Sequence, residues 1–176
     1  MTVRHASAVL VLATLAGCSH PPAPLPPAPS GVRRLAVEKP VNRTQDDLIV
    51  YGPGILQRIL KDDIVTVPDL LAEDLQKVLT RQGFRVAAPG TEDVPVLRTE
   101  IGRWEHYAAS YNTVTVDVVA SLVDPASGRE LWRAARSGWV VPTYDAESRR
   151  DACLEASTAV AEALLEGWEP GAAPAR

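Results

Sequence analysis

Two cysteines, Cys18 and Cys153, carry the most reactive side chains in this 176-residue sequence. Cys18 stands directly after a short apolar stretch, whereas Cys153 lies beside Leu154 in a segment that predicts a helix. A thiol on an apolar helix, away from any predicted base, is typical of a buried structural cysteine. We therefore expect Cys153 to be buried and unpaired, and Cys18 to be the site of covalent chemistry.

Other side chains that catalyse reactions are sparse. Beyond residue 31 the sequence holds a single histidine, His106, and lacks the Gly-x-Ser-x-Gly, paired-cysteine and His-Glu-x-x-His patterns. The acidic pairs Asp46-Asp47 and Asp62-Asp63 could bind a hard cation, but adjacent carboxylates on a loop usually point apart, which favours solvated charge. We expect no enzymatic activity, no cofactor and no metal site.

The first seventeen residues have the composition of a leader. Arg4 precedes an apolar run from Ala6 to Leu15. About ten apolar residues are too few for a transmembrane helix, which needs about 20, and they suit the apolar region of a signal peptide. Residues 1–17 are therefore predicted to be a signal peptide.

This leader ends in one apolar residue, two small residues and a cysteine: Leu15, Ala16, Gly17 and Cys18. The pattern resembles the lipobox of bacterial lipoprotein precursors. The resemblance implies cleavage after Gly17 and attachment of diacylglycerol to Cys18, whose acyl chains would anchor the protein permanently. Ser19 resembles the residue of lipoproteins sent to the outer membrane, which implies an anchor there and a domain that faces the periplasm. The alternative is an ordinary signal peptide followed by a chance cysteine.

The rest of the chain divides into a spacer, one domain and a tail. Residues 18–31 comprise the lipidated cysteine and a tether, because six of the fifteen prolines fall within residues 20–31. Such a stretch predicts a polyproline II spacer of about 35 Å, although it could also be a ligand for proline-reading domains. Residues 32–166 have the size of a single domain with one core. Residues 167–176 are expected to be disordered.

Periodicity within the domain predicts an α+β fold. The predicted elements are a strand (32–38), an irregular connection (39–65), a helix (66–83), four strands (84–88, 94–106, 113–123 and 130–141) and a helix (145–166). Thr66 and Asp69 fit a capping box, Gly83 ends that helix, and Asp145 is expected to cap the second helix. The order β-α-β-β-β-β-α predicts a mainly antiparallel sheet of about five strands, with the two helices on one face.

Two short motifs add a second resemblance. One is the Gly-Phe-x-Val strand at Gly83, and the other is the turn Asp124-x-x-Ser127-Gly128-x-Glu130-Leu131-Trp132. With the lipobox and spacer, they resemble small envelope lipoproteins that have a TolB N-terminal-like domain, including transport-auxiliary and outer-membrane assembly lipoproteins. The resemblance implies an accessory part of an envelope complex without catalytic residues. The connection 39–65 is longer than in the compact version of that domain.

Charge argues against nucleic acid as a partner. The formal net charge is −4, and removal of residues 1–17 changes it to −5, because Arg4 is lost and no acidic residue is. Basic residues alternate with acidic ones instead of forming the stripe that a phosphate backbone requires. We interpret the one weak cluster as solvated edges of the sheet and helix: Arg133, Arg136, Arg149 and Arg150.

Two groups of side chains are candidates for binding a protein partner. The aromatic group surrounds a predicted turn between strands: Trp104, Tyr107 and Tyr111. Tyrosine and tryptophan are frequent interface anchors, although aromatic residues also cover sheets. The aliphatic group would share one face of a short helix in the connection 39–65, and that face could instead cover the core: Ile55, Leu56 and Ile59.

These observations predict a membrane-anchored accessory protein that faces the periplasm and contributes a protein-binding domain to an envelope transport or assembly complex. The alternative is a carrier or sensor that binds a lipid, glycan or peptide on the sheet face that the helices leave uncovered. That alternative requires an apolar cavity or an aromatic-lined groove.

Overall fold

A computed structural model describes residues 25–51, 64–108 and 112–171. Several predicted features therefore lie outside the described residues: the signal peptide and Cys18, the helix face at Ile55, Leu56 and Ile59, the pair Asp62-Asp63, and Tyr111. The described elements are β1 (Arg34–Val37), β2 (Val41–Asn42), β3 (Ile49–Tyr51), β4 (Val65–Thr66), α1 (Val67–Arg81), β5 (Arg85–Ala87), β6 (Val96–Ala108), β7 (Asn112–Val123), β8 (Glu130–Thr143) and α2 (Arg149–Leu164).

The main sheet is mixed, with the strand order β5-β1-β6-β7-β8. Its larger part is the antiparallel meander β6-β7-β8, which confirms the predicted α+β class and strand order. β1 lies between β5 and β6 and is parallel to both. A strand–helix–strand connection returns the chain in its original direction, so the passage through α1 makes β1 and β5 parallel. β2 extends β1 along β6, and β3 pairs with β4 in a separate ribbon.

Both helices pack against one face of this sheet, and their starts follow capping rules. The Thr66 backbone N–H donates to the Asp69 carboxylate at 3.1 Å, which confirms the predicted capping box of α1. The expectation that Asp145 caps the second helix is wrong. Ser148 caps α2, because its Oγ accepts from the Asp151 backbone N–H at 3.2 Å and donates to the Asp151 carboxylate at 2.6 Å.

The core lies between the sheet and the helices. Alternate residues of β7 are buried against the helices, as the period of two predicts: Val114, Val116, Val118, Ala120 and Leu122. The predicted inner stripe of α1 is also buried: Val67, Leu70, Leu71, Leu75, Val78 and Leu79. Cys153 is buried and unpaired in α2, which confirms its prediction, and burial raises the pKa of its thiol. Neither α1 nor α2, the long helices of the described chain, could span a membrane.

Residues on both sides of the predicted domain, 32–166, pack against its core. Leu25 and Ala28 contact the core, and Pro29 is buried. The Trp132 indole N–H donates to the Pro26 carbonyl, with Nε1 and O 3.4 Å apart. Residues 25–31, which we call the strap, therefore belong to the domain instead of the free tether.

The first residues of the tail that the sequence predicts to be disordered, 167–176, also pack against the domain. Trp168 is 3% exposed and lies in the core. Its ring meets Trp132 edge-on, with centroids 4.8 Å apart, and tilts against Phe84 at 6.0 Å. The Gly171 backbone N–H donates to the Val32 carbonyl at 2.9 Å. The segment 167–171 thus closes the same end of the domain as the strap.

Candidate functional site

Most of the sheet face opposite the helices is uncovered and carries rows of charged side chains, whereas Ala36 and Val96 are buried on it beside Val94. Four ion pairs lie on or beside this face: Arg98–Glu38, Arg43–Glu100, Arg103–Glu105 and Arg133–Glu130. All eight side chains are substantially exposed, and exposed pairs contribute little stability each. Opposite charges thus neutralise each other across most of this face, which keeps it solvated.

Two irregularities bend the meander near its middle. The register of β6 with β7 shifts between Ile101 and Arg103, so Gly102 is an extra residue. On the other side of β7, the Asp117 carboxylate accepts from the Gly138 backbone N–H and, at 3.2 Å, from Ser137 Oγ. Gly138 has φ +61°, in the left-handed region that glycine adopts without strain. Bulges of this kind increase the local twist and redirect side chains.

The bend opens a cleft of about 660 Å³ between the bulged part of β6 and the loop that follows β2. Its lining combines charged residues, which include Arg43, Asp46, Arg103 and Asp117, with the apolar side chains of Leu48 and Trp104. The Arg43 guanidinium donates to Glu100 at 3.1 Å and lowers the pKa of that carboxyl. The charges at the cleft are therefore largely paired already. This cleft does not supply the apolar cavity that the carrier hypothesis requires.

The acidic pair Asp46-Asp47, which the sequence analysis interprets as solvated charge, is exposed in the loop that follows β2. The backbone carbonyl of Asp46 accepts from Asn42 Nδ2 at 2.7 Å and from Thr44 Oγ1 at 2.9 Å, which closes a tight loop. Among the described residues, no three His, Cys, Asp or Glu side chains lie together in a way that could hold a metal ion.

An apolar patch lies at the end of the uncovered face farthest from the strap. Tyr107, Thr113 and Pro142 are neighbours across β6, β7 and β8, and Thr115 and Val140 form part of the next row. Tyr107 is 52% exposed and Val140 53% exposed. We call these five residues the Tyr107 patch. The Tyr107 hydroxyl donates to Glu105 at 2.6 Å, which raises the pKa of Tyr107 and lowers that of Glu105.

Further apolar side chains are exposed at the same end. Tyr144, which follows β8, is 73% exposed, and Ile49 and Ile64 are exposed in and beside the β3–β4 ribbon that precedes α1. Scattered apolar residues are normal on a surface, but a concentration at one end indicates an interaction site. The adjoining segments 52–63 and 109–111 lie outside the described residues.

The structure separates the predicted aromatic candidates. Tyr107 is on the surface, whereas Trp104 is 6% exposed and packs into the core, so it cannot be a surface anchor. Trp104 is buried because of the bulge at Gly102. Before the bulge, the odd-numbered residues Leu97, Thr99 and Ile101 face the core. The extra residue shifts the alternation of inward and outward side chains by one, so the even-numbered Trp104 faces the core after it. A glycine inside a strand is the sequence signal for such a bulge.

The arginines that form a weak basic cluster in the sequence lie apart in the structure. Arg133 lies near the start of β8 and pairs with Glu130, whereas Arg149 and Arg150 begin α2, which follows the end of β8. The two groups therefore sit at opposite ends of the sheet.

Comparison with known proteins shows relatives in fold. No protein-family model matches this sequence, and no curated protein is a significant match. The PelC dodecamer from Paraburkholderia phytofirmans is similar in structure, with 15% identity, a TM-score of 0.52, and coverage of 81% of this chain and 92% of that one. Protein XCC0632 from Xanthomonas campestris, of the DUF330 family, is similar at 18% identity and a TM-score of 0.53, covering 81% and 86%.

A third solved structure is a weaker likeness. Lipoprotein GNA1162 from Neisseria meningitidis has 16% identity and a TM-score of 0.43, with coverage of 72% of this chain and 95% of that one. At these identities the likeness concerns the fold alone. The chain thus has an α+β fold that recurs in bacterial proteins of different sequence.

Proposed function

We propose that this protein is a lipid-anchored accessory protein of the bacterial envelope, whose domain contributes a protein-binding surface to a transport or assembly complex. The anchor is Cys18, and the domain faces the periplasm from the outer membrane. The proposal takes the Tyr107 patch and the adjoining apolar end as the surface that meets the partner. The observation that carries it is the exposure of Tyr107 and Val140 on adjacent rows at one end of an otherwise charge-paired sheet face.

Several observations support this assignment. The charged rows nearer the strap are neutralised by the ion pairs Arg98–Glu38 and Arg43–Glu100, so an apolar partner surface gains most by covering the Tyr107 patch. The cleft beside it is open and carries charged side chains, which suits an edge of a protein interface better than a carrier's cavity. PelC, which shares the fold, was solved as a dodecamer, so the fold is compatible with a place in an assembly.

The anchor is tested by metabolic labelling with palmitate. Cys18→Ala should abolish incorporation of the label, because the remaining cysteine, Cys153, is buried and has a raised pKa. The matched control is Cys153→Ala, which should remain labelled. Incorporation that survives Cys18→Ala would contradict lipidation at this position.

The partner surface is tested by cross-linking in cells followed by recovery of the protein in detergent. Tyr107→Ala combined with Val140→Ala should reduce recovery of a discrete cross-linked partner about tenfold or more, since interface anchors typically contribute about 2 kcal/mol each. Val41→Ala is the control, because Val41 is also an exposed valine but lies on β2, away from the patch. Unchanged recovery in the double variant, or equal loss in the control, would refute the role of the patch.

A further inference from the structure

The strap fixes where the anchored chain leaves the domain. The Pro26 carbonyl accepts from Trp132, whose partner in β7 is Leu122, close to the hairpin that joins β7 and β8. Pro29 and Ser30 lie against Arg129 at the base of the same hairpin. The chain therefore departs from the end of the sheet that the β7–β8 hairpin forms, which we call the strap end.

The chain between the anchor and the strap is short. Seven residue steps separate Cys18 from Leu25, so they span at most about 25 Å even when fully extended. Along β7, nine residue steps separate Leu122, which lies beside the strap, from Thr113 in the Tyr107 patch, a distance of about 30 Å. The extended tether is shorter than this distance, so the anchor does not reach a membrane that lies against the Thr113 row of the patch. The sequence-based estimate of a 35 Å spacer is too long, because the strap occupies half of it.

Two arginines also lie side by side at the strap end. Arg34 and Arg85 are directly paired in register on the parallel strands β1 and β5, and both are exposed. Within the described residues neither arginine makes an ion pair, and the acidic residues of this end lie elsewhere on it: Asp124 in the hairpin, Glu130 paired with Arg133, and Glu166 and Glu169 after α2. Like charges side by side on a sheet are unfavourable unless an anion lies near them. Phosphate headgroups of acidic lipids provide such anions.

We propose that the strap end lies against the membrane that holds the anchor, with Arg34 and Arg85 against the headgroups of acidic phospholipids, and that the Tyr107 patch faces away from this membrane. The inference rests on the proposed lipid anchor at Cys18. It adds the orientation of the domain and a lipid-contacting surface. The partner of the Tyr107 patch then approaches from the aqueous side, about 30 Å from the headgroups.

The orientation is tested with the lipidated full-length protein reconstituted in vesicles of phosphatidylcholine and phosphatidylglycerol. A fluorophore is attached to Ala126→Cys in the β7–β8 hairpin or to Ala108→Cys at the end of β6, both exposed alanines. The parent chain is the labelling control, because Cys153 is buried. A nitroxide on the lipid headgroup should quench the probe at position 126 and leave the probe at position 108 unquenched.

The arginine contact is tested in the same vesicles. Arg34→Gln with Arg85→Gln should reduce quenching at position 126, because each arginine near an acidic surface favours the apposed state about fivefold. High salt should have the same effect. The matched control is Arg149→Gln with Arg150→Gln, which removes the same charge at the start of α2 and should leave quenching unchanged.

Each outcome has a distinct meaning. Equal quenching at positions 126 and 108, or stronger quenching at 108, would overturn the orientation. Equal effects of the two arginine pairs would overturn the contact with acidic headgroups. A protein that does not stay with the vesicles would refute the anchor and the orientation together. Loss of the partner interaction alone would refute only the proposed function, because it leaves the quenching pattern intact.

Discussion

Replacement of Trp168 by alanine should destabilise the domain strongly, although Trp168 lies beyond the last helix. The side chain is buried and contacts the rings of Trp132 and Phe84. Loss of a buried tryptophan costs about 3–5 kcal/mol. This is a large part of the total of about 5–15 kcal/mol that stabilises a typical domain. For a domain of this size, Tm should fall by about 10 °C.

The assay is urea unfolding of a lipid-free mature chain that carries Cys18→Ser, followed by far-ultraviolet circular dichroism. The midpoint should shift to lower urea with an unchanged slope, as expected when stability alone changes. Glu169→Ala is the control, because Glu169 is exposed one residue away. A chain that ends at Glu166 should lose at least as much stability as Trp168→Ala. If Trp168→Ala changes stability by less than about 0.5 kcal/mol, as a surface substitution would, the tail is not part of the core.

Three further predictions use the same unfolding assay or a thiol assay. Gly138→Ala should lower the free energy of unfolding by about 1–2 kcal/mol through the positive φ alone, since no atom lies within 4 Å of the added Cβ. An unchanged midpoint of urea unfolding would contradict the bulge geometry. Burial would raise the pKa of Asp69, but hydrogen bonds from Lys39 and Thr66 outweigh it and the net pKa lies below the ordinary 3.8. The stability that Asp69 contributes should therefore be present at neutral pH and be lost as the pH falls below about 4. An Asp69→Asn variant whose free energy of unfolding keeps the same pH dependence as the parent would refute this. Cys153 should resist alkylation in the native protein and react once per chain in urea; rapid native labelling would show that the thiol is accessible.

The sequence predicted the fold well where local patterns decide it. The period of two in β7 identifies its buried row, and Thr66 with Asp69 identifies the start of α1, because both signals depend on residues near each other in the chain. The place of β1 between β5 and β6 depends on contacts between distant residues, which no local pattern encodes. Asp145 and Ser148 are both good capping residues, and the acidic residue three positions after Ser148 decides between them.

The candidate site was predicted only in part, for reasons that the structure makes plain. Tyr107 is exposed as expected, but the bulge at Gly102 turns Trp104 into the core, and alternation alone cannot reveal an inserted residue. Val140 did not stand out in the sequence, because it stands next to the buried Val141, and only the register of β8 places Val140 on the uncovered face. The strap was missed because prolines predict an extended chain, and an extended chain can still lie on a surface.

The measurement that tests the central claim most directly is site-specific photo-cross-linking in intact cells. A benzophenone amino acid is placed at Thr113 in the Tyr107 patch or at Ser121, which lies on the same strand and face but nearer the strap end. We predict a discrete protein adduct from Thr113 that disappears with Tyr107→Ala and Val140→Ala, and no such adduct from Ser121. Equal adducts from both positions, or no protein adduct from Thr113, would contradict a partner-binding role for this end of the domain.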